Sequence, residues 1–255
     1  MGPRKKKKKM TRAVFAATCA IAVVAGPLVY DRRPGRMDAV PRLVLWAWER
    51  PVDLRALPRG AGVAFLAQTI TIGADRSVVT PRRQPLQVPP AAPLVAVTRI
   101  EAPGTLAVVK PAIDEAAEAI GRTAALPRVV AIQVDFDATR SQREAYRRLL
   151  HAARRATPPR IPLSITALAS WCLHDNWLDD LPIDEAVPML FRMGPAEQPL
   201  RASIRDRMRA PICRGAIGVS LDEPFRIAAR GSRVYVFNSQ PWRQQSVEAA
   251  FGLTK

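Results

Sequence analysis

The sequence predicts a (β/α)8, TIM-barrel-like α/β fold, and three observations carry that expectation. Eight apolar runs of strand length recur between residues 42 and 242, with turn signals between them. Most are separated by helical patterns or long connections, which favours parallel pairing with both sheet faces covered. No Gly-x-Gly-x-x-Gly or Walker-type loop occurs, so the main competitor, a doubly wound open sheet, lacks its usual ligand signature. A chain of 255 residues is long enough for one such barrel.

The elements follow in order. Residues 42–49 (RLVLWAWE) read as the first strand, with a short helix over 51–58, and residues 62–72 as the second strand. Residues 73–93 mix turn residues with strand-like pieces and read as a hairpin insertion. Residues 94–101 form the third strand. Residues 111–126 read as a helix, because Pro111 suits an early helical position, acids crowd the first turns and alanine is abundant. The fourth strand starts at Val129, and the helix after it, 141–156, carries an apolar stripe of Tyr146, Leu149, Leu150 and Ala153. Ser141 and Glu144 have the spacing of a capping box at its start. Strands follow over 161–171, 185–194, 215–223 and 233–242. A helical turn over 174–182 and helices over 199–210 and 243–253 complete the list.

The formal charge of +17 is uneven. Residues 1–30 hold seven basic residues and no acid, leaving 32 basic against 22 acidic residues beyond them. Of those 32 only Lys110 and Lys255 are lysine; the rest are arginines dispersed along the chain. A stripe or basic helix would mark a nucleic-acid surface, so nucleic acid is not the expected partner. The basic head is followed by an uncharged run, residues 13–30, which is the pattern of an export signal or membrane anchor. Cleavage after Val23-Val24-Ala25 and retention as an anchor both fit, and Cys19 lies in mid-run. Either way the remainder is expected outside the cytoplasm, in the periplasm or tethered to the membrane. The expected organisation is therefore a signal or anchor over 1–30, a linker over 31–40 and one barrel over 41–255. In an oxidising compartment Cys172 and Cys213 can pair; two separate thiols are the alternative.

The end of the fourth strand carries the chemistry. Strand side chains alternate, so Val130, Ile132, Val134 and Phe136 point to the helices, while Ala131, Gln133, Asp135 and Asp137 face the lumen. That row turns polar towards the end where barrel active sites sit. Two confined carboxylates resist joint ionisation, so one is expected to have a raised pKa. Asp135 and Asp137 are thus the candidate catalytic pair, with Glu101, Asp222 and Glu223 at other strand exits as candidate partners. For Asp137 a turn, a helix cap or an ion pair to Arg140 or Arg143 is the structural alternative. Substrate-binding candidates are Glu49, Gln133, Arg192 and the strand-end tryptophans Trp48, Trp171, Trp177 and Trp242, whose flat faces suit sugar rings. Core or rim packing is the alternative for all five tryptophans, a stronger one for Trp46 and Trp48 than for Trp177 and Trp242. The two histidines, His151 and His174, are too few for a zinc cluster, and no Gly-x-Ser-x-Gly elbow is present. No metal or cofactor is expected.

The stretches LVLWAWERPVDLRAL, GVAFLAQTI, IQVDFDATRSQREAYRRLL, LSITALASWC, EAVPMLFRMG and CRGAIGVSLDEP resemble, over about residues 40–242, the bacterial exported-protein family catalogued as domain of unknown function 3142. That family brings no established activity. More distantly, the fourth strand, its helix and the LSITALAS strand are similar to chitinase-type glycoside hydrolase barrels. Their D-x-D-x-E motif would align its two aspartates with Asp135 and Asp137, but its acid position holds Thr139. A hydroxyl is no general acid at neutral pH. The resemblance therefore implies two readings. One is a glycoside-hydrolase-like barrel acting on envelope polysaccharide. The other is a barrel at the cell surface that binds carbohydrate or protein without cutting.

Overall fold

The computed structural model describes residues 1–2, 35–102, 110–193, 208–223 and 231–254. In chain order they form β1 (Leu43–Ala47), β2 (Val52–Asp53), β3 (Ala61–Ile72), β4 (Ser77–Pro81), β5 (Leu86–Gln87) and β6 (Leu94–Glu101). Then come α1 (Lys110–Arg122), β7 (Val129–Asp135), α2 (Arg143–Ala156), β8 (Leu163–Leu168), α3 (Ala169–His174) and β9 (Glu185–Met189). The chain continues with β10 (Ala216–Ser220), β11 (Arg233–Phe237) and α4 (Gln244–Gly252). Strands β1, β3, β6, β7, β8, β9, β10 and β11 pair in parallel in that order, and β11 returns to β1. The eight expected runs are thus the eight staves of a closed barrel, and closure leaves no free edge on them.

Two layers of apolar side chains hold it. Between sheet and helices, Ile132, Val134 and Phe136 meet Tyr146, Leu149 and Leu150 of α2 in one buried cluster. Inside the barrel, Val44, Trp46, Val97, Ala131, Val187 and Tyr235 form a second. The strand alternation generates both: one row of each stave faces helices and the other the axis. Val130 departs from its expected row. The β6–β7 ladder slips between Leu94 and Val95, so Val129 joins the outer layer and Val130 packs against the interior.

Helix α1 lies on α2 through a buried alanine face. The contact is close enough that a Cβ on Gly121 would stand 2.5 Å from the Ala156 carbonyl oxygen, which is why that face ends in glycine. The start of α2 is capped two residues earlier than Ser141 and Glu144 suggest. The Thr139 N–H donates to Gln142 Oε1 at 2.9 Å, across a short 3-10 turn that leads into the helix. The base of the barrel is closed by residues 35–40, the second half of the segment read as a linker, with Val40 packed against the interior. The compact unit spans Arg32–Lys255.

Three expectations need correction. Residues 51–58 are not helical: Val52 and Asp53 pair with Leu86 and Gln87, a contact supplied by the returning insertion and invisible to local periodicity. The insertion itself is as expected, β4 turning back antiparallel on β3. The fifth strand stops at Leu168 because β9 offers partners only from Ser164 to Leu168, and 169–174 coil into α3. The helical turn expected over 174–182 is displaced: His174 ends α3, and turns follow over 177–180. The export or anchor segment with Cys19, and most of the helix expected over 199–210, lie outside the described residues. Among the described residues no helix is long and apolar enough to cross a membrane.

Candidate functional site

A cavity of about 700 Å³ opens at the C-terminal ends of the staves. One wall is polar. Asp135, the last residue of β7, is 2 % exposed and accepts from Arg99 Nη1 at 2.7 Å and from Thr166 Oγ1 at 2.6 Å. Arg99 Nη2 reaches Asp137 Oδ2 at 3.2 Å; Asp137 is 46 % exposed and Arg99 34 %. The guanidinium fork therefore holds both carboxylates, which is a geometry arginine supplies and lysine does not. Burial raises the Asp135 pKa above its ordinary value, against the opposing pull of Arg99 and Thr166, and Asp137 adds to the rise. The expected raised acid is present, but burial rather than mutual repulsion is the main cause.

The opposite wall is aromatic. Trp46 meets Phe191 edge-on at 6.5 Å, Phe191 stacks on Phe237 at 5.5 Å with the planes 2° apart, and Trp48 meets Phe237 edge-on at 6.4 Å. Met189, Leu168 and Leu173 extend the apolar surface, and Ser170 and His174 of α3 stand at its margin. Arg192 lays its guanidinium over Phe237 at 5.8 Å. Its backbone is left-handed, φ 55°, and the Glu223 carboxylate braces it by accepting the Arg192 N–H at 3.1 Å.

Trp46 is the floor, and its position is fixed by hydrogen bonds running down the axis. Its indole N–H donates to Gln133 Oε1 at 3.0 Å, Gln133 Nε2 donates to Ser164 Oγ at 3.1 Å, and Ser164 leads to Glu185 at 3.3 Å. Its ring stacks on Tyr235 at 5.3 Å. Gly218 makes room for it: a Cβ there would come 2.9 Å from Trp46 Cη2. Gly218→Ala is therefore expected to push the indole off Gln133 and cost about 1–3 kcal/mol. A lowered melting temperature together with a shifted tryptophan emission checks it; an unchanged emission sinks it.

The structure brings Asp135, Asp137, Trp48 and Arg192 to one cavity and sets the other sequence candidates elsewhere. Gln133 lies beneath the floor as a support. Glu49 accepts the backbone N–H groups of Arg83 and Gln84. Glu101 lies outside the cavity, in a neighbouring open depression that shares Arg99 and Asp137 with it. Asp222 accepts from Ser220 Oγ and from the Ser239 N–H, bridging the exits of β10 and β11. Trp171 and Trp177 are buried edge-to-face at 4.9 Å, with Arg143 over both rings. Arg143 pairs with Asp175, so neither Arg143 nor Arg140 is the partner Asp137 takes. Trp242 is buried behind β1, its N–H on the Trp46 carbonyl at 2.8 Å. Cys172 and Cys213 are joined in a disulfide.

Arg99, Thr166, Phe191 and Phe237 are not among the sequence candidates, and packing is the stronger sequence reading for Trp46 and Trp48, which both line the cavity. Alternation within LVAVTRIE, LSITAL and RVYVF places Arg99, Thr166 and Phe237 on lumen rows, so the signal existed. Phe191 lies two residues beyond β9, as Asp137 does beyond β7, and the alternation Glu185, Val187, Met189, Phe191 puts it on the lumen row too. Among the described residues no three His, Cys, Asp or Glu side chains gather as metal ligands do. Compared with family models, curated proteins and solved structures, the chain matches none.

Proposed function

We propose that the cavity binds a neutral carbohydrate and does not cleave it. The observation that carries this reading is the balance of its walls. Two carboxylates, Asp135 and Asp137, face two guanidinium groups, Arg99 and Arg192, so the site carries no net charge from these four, beside a broad aromatic surface. Such a surface takes the apolar face of a sugar ring while hydroxyls find donors and acceptors opposite. The similarity to chitinase-type barrels supports the same substrate class.

Hydrolysis is the weaker reading for two reasons. Two-carboxylate cleavage needs acids on both sides of the scissile bond, and the substrate-assisted route of chitinase-type barrels, which needs no acid on the opposite wall, still needs a protonating acid at the third position of the motif. The acids lining this cavity among the described residues, Asp135 and Asp137, sit on one wall and share one arginine. Thr139, at the position of the hydrolase acid, is spent on the entry to α2, its N–H on Gln142 and its hydroxyl 3.1 Å from that of Ser141.

Export to the envelope belongs to the same proposal. It is motivated by the basic head and uncharged run of residues 1–30, and a disulfide is at home in such a compartment. Calorimetry of the full chain against a panel of neutral oligosaccharides tests the reading. Binding is expected, weakened about tenfold or more by Trp48→Ala, which corresponds to about 1.4 kcal/mol, with no reducing ends released. Release of reducing ends by the wild type but not by Asp137→Asn would overturn the non-catalytic reading and restore hydrolysis. Absence of binding across the panel would reject carbohydrate altogether.

A further inference from the structure

The insertion after β3 returns beside the β1 exit twice, by pairing β5 with β2 and, nearer the cavity, by one side chain. Arg82, just beyond β4, is half-buried and turns its guanidinium onto the exit of β1. Nη1 donates to the carbonyls of Trp48 at 2.6 Å and Ala47 at 3.3 Å, and Nη2 to that of Arg50 at 2.6 Å. Nε donates to the Gln84 carbonyl at 2.8 Å, while the Arg82 N–H holds Ala67 of β3 at 2.9 Å. The loop answers with Glu49, whose carboxylate accepts the N–H groups of Arg83 at 2.9 Å and Gln84 at 3.1 Å. From the other side, the Arg50 guanidinium reaches the Ser239 carbonyl just past β11.

We propose that Arg82 and Glu49 form a latch through which the insertion holds the β1 exit loop, making them the positioning residues that keep Trp48 in the aromatic wall. The chemistry favours a latch over a chance contact. Carbonyls at a strand exit lose ladder partners and take other donors: that of Trp48 accepts the Arg50 N–H at 2.8 Å and the Arg82 guanidinium besides. One planar guanidinium serves three of them at once, which a lysine ammonium cannot do in the same plane. The bonds cross in both directions, cation of the insertion to loop carbonyls and anion of the loop to insertion N–H groups, so sliding in either direction breaks some of them. The loop is near the surface, so water replaces the lost donors when the latch is removed. The main loss is then order in residues 47–50 rather than global stability. Trp48 has one neighbouring ring in the wall, Phe237, and depends on that order for its orientation.

The test uses the full chain labelled with 5-fluorotryptophan, which gives five ¹⁹F resonances, one for each tryptophan. Trp48→Phe assigns the resonance of interest. Arg82→Ala is expected to shift and broaden the Trp48 signal and leave the other four in place, with Arg82→Lys restoring it only in part. Glu49→Ala, which removes an exposed partner, is expected to move the same signal by less and serves should Arg82→Ala fold poorly. An unmoved Trp48 resonance, or a common shift of all five, overturns the latch. A second arm rests on the carbohydrate reading. Arg82→Ala is expected to weaken oligosaccharide binding about fivefold in the wild-type background and not at all in Trp48→Phe. An equal loss in both backgrounds also overturns it. If the wild type binds no oligosaccharide, the carbohydrate reading fails and the ¹⁹F spectra still decide the latch.

Discussion

Arg233→Met is expected to cost about 3–5 kcal/mol of stability at neutral pH, the range found when one partner of a buried ion pair is removed. Glu185 sits at the base of the barrel axis, 3 % exposed, with Arg233 on one oxygen and the Tyr235 hydroxyl on the other at 2.8 Å. Arg233 is 12 % exposed and also donates to the Met37 carbonyl at 2.8 Å and the Val40 carbonyl at 3.2 Å, which seals the base. Methionine keeps much of the apolar stem and removes the charge and every donor. What remains is a carboxylate deep in the barrel with two neutral hydroxyls for company.

The pH dependence separates charge from packing. Burial raises the Glu185 pKa above its ordinary 4.5, against the pull of Arg233, Tyr235 and Ser164. An acid whose folded pKa is raised contributes stability that is complete below its unfolded pKa and lost as pH climbs through the folded one. Removing Arg233 raises the folded pKa further, so the penalty grows towards neutral pH and fades below about pH 4.5. Urea unfolding of wild type and Arg233→Met at pH 4 and pH 7.5 reads this directly. A stability difference that is the same at both pH values would mean that the lost stem contacts and carbonyl bonds dominate. Asp135 works in the same sense above its ordinary 3.8, so acidification also favours the folded state at the cavity end of the axis.

The barrel was legible because its evidence is periodic and local. Each stave carries its own alternation, and the row Ala131, Gln133, Asp135 could be assigned to the lumen from nine residues of sequence. The site was legible only along strands. Asp135 and Asp137 were found because alternation extends to them, and Arg99 was reachable by the same rule applied to β6. Trp171 and Trp177 misled because a tryptophan just past a strand reads as a cavity ligand only if the strand continues, and β8 runs out of partners at Leu168. Turning into α3 carries both rings under α2. The pairing of Val52 with Leu86 spans the whole insertion, and no local pattern encodes a contact that depends on where a hairpin returns. Glu49 was placed at the correct rim for a different reason. Its carboxylate is committed to backbone N–H groups, a partner type that side-chain chemistry in a sequence does not announce.

Loss of the Cys172–Cys213 bridge is the other large effect expected. It closes a loop with a sequence separation of 41, and constraining the unfolded chain over that length is worth about 4 kcal/mol. For a chain of this size that corresponds to about 8–16 °C in melting temperature. The bridge joins α3 to the approach of β10, next to the Cys172 carbonyl that accepts the N–H groups of Arg209 at 2.8 Å and Ala210 at 3.2 Å. A helix of six residues has too few internal bonds to persist by itself, so α3 depends on these ties. Ser170, Leu173 and His174 of α3 line the cavity, which couples the bridge to the site. Cys172→Ala/Cys213→Ala is therefore expected to lower the melting temperature and also to weaken ligand binding at temperatures where the barrel remains folded. Melting curves with and without reductant, run beside the double variant, give the comparison. If reductant leaves the wild-type curve unchanged while thiol titration shows both sulfurs free, the bridge contributes nothing to stability. If the curve falls and binding does not, α3 is held by its packing under Arg143 and Trp177, and the disulfide acts on the unfolded chain alone.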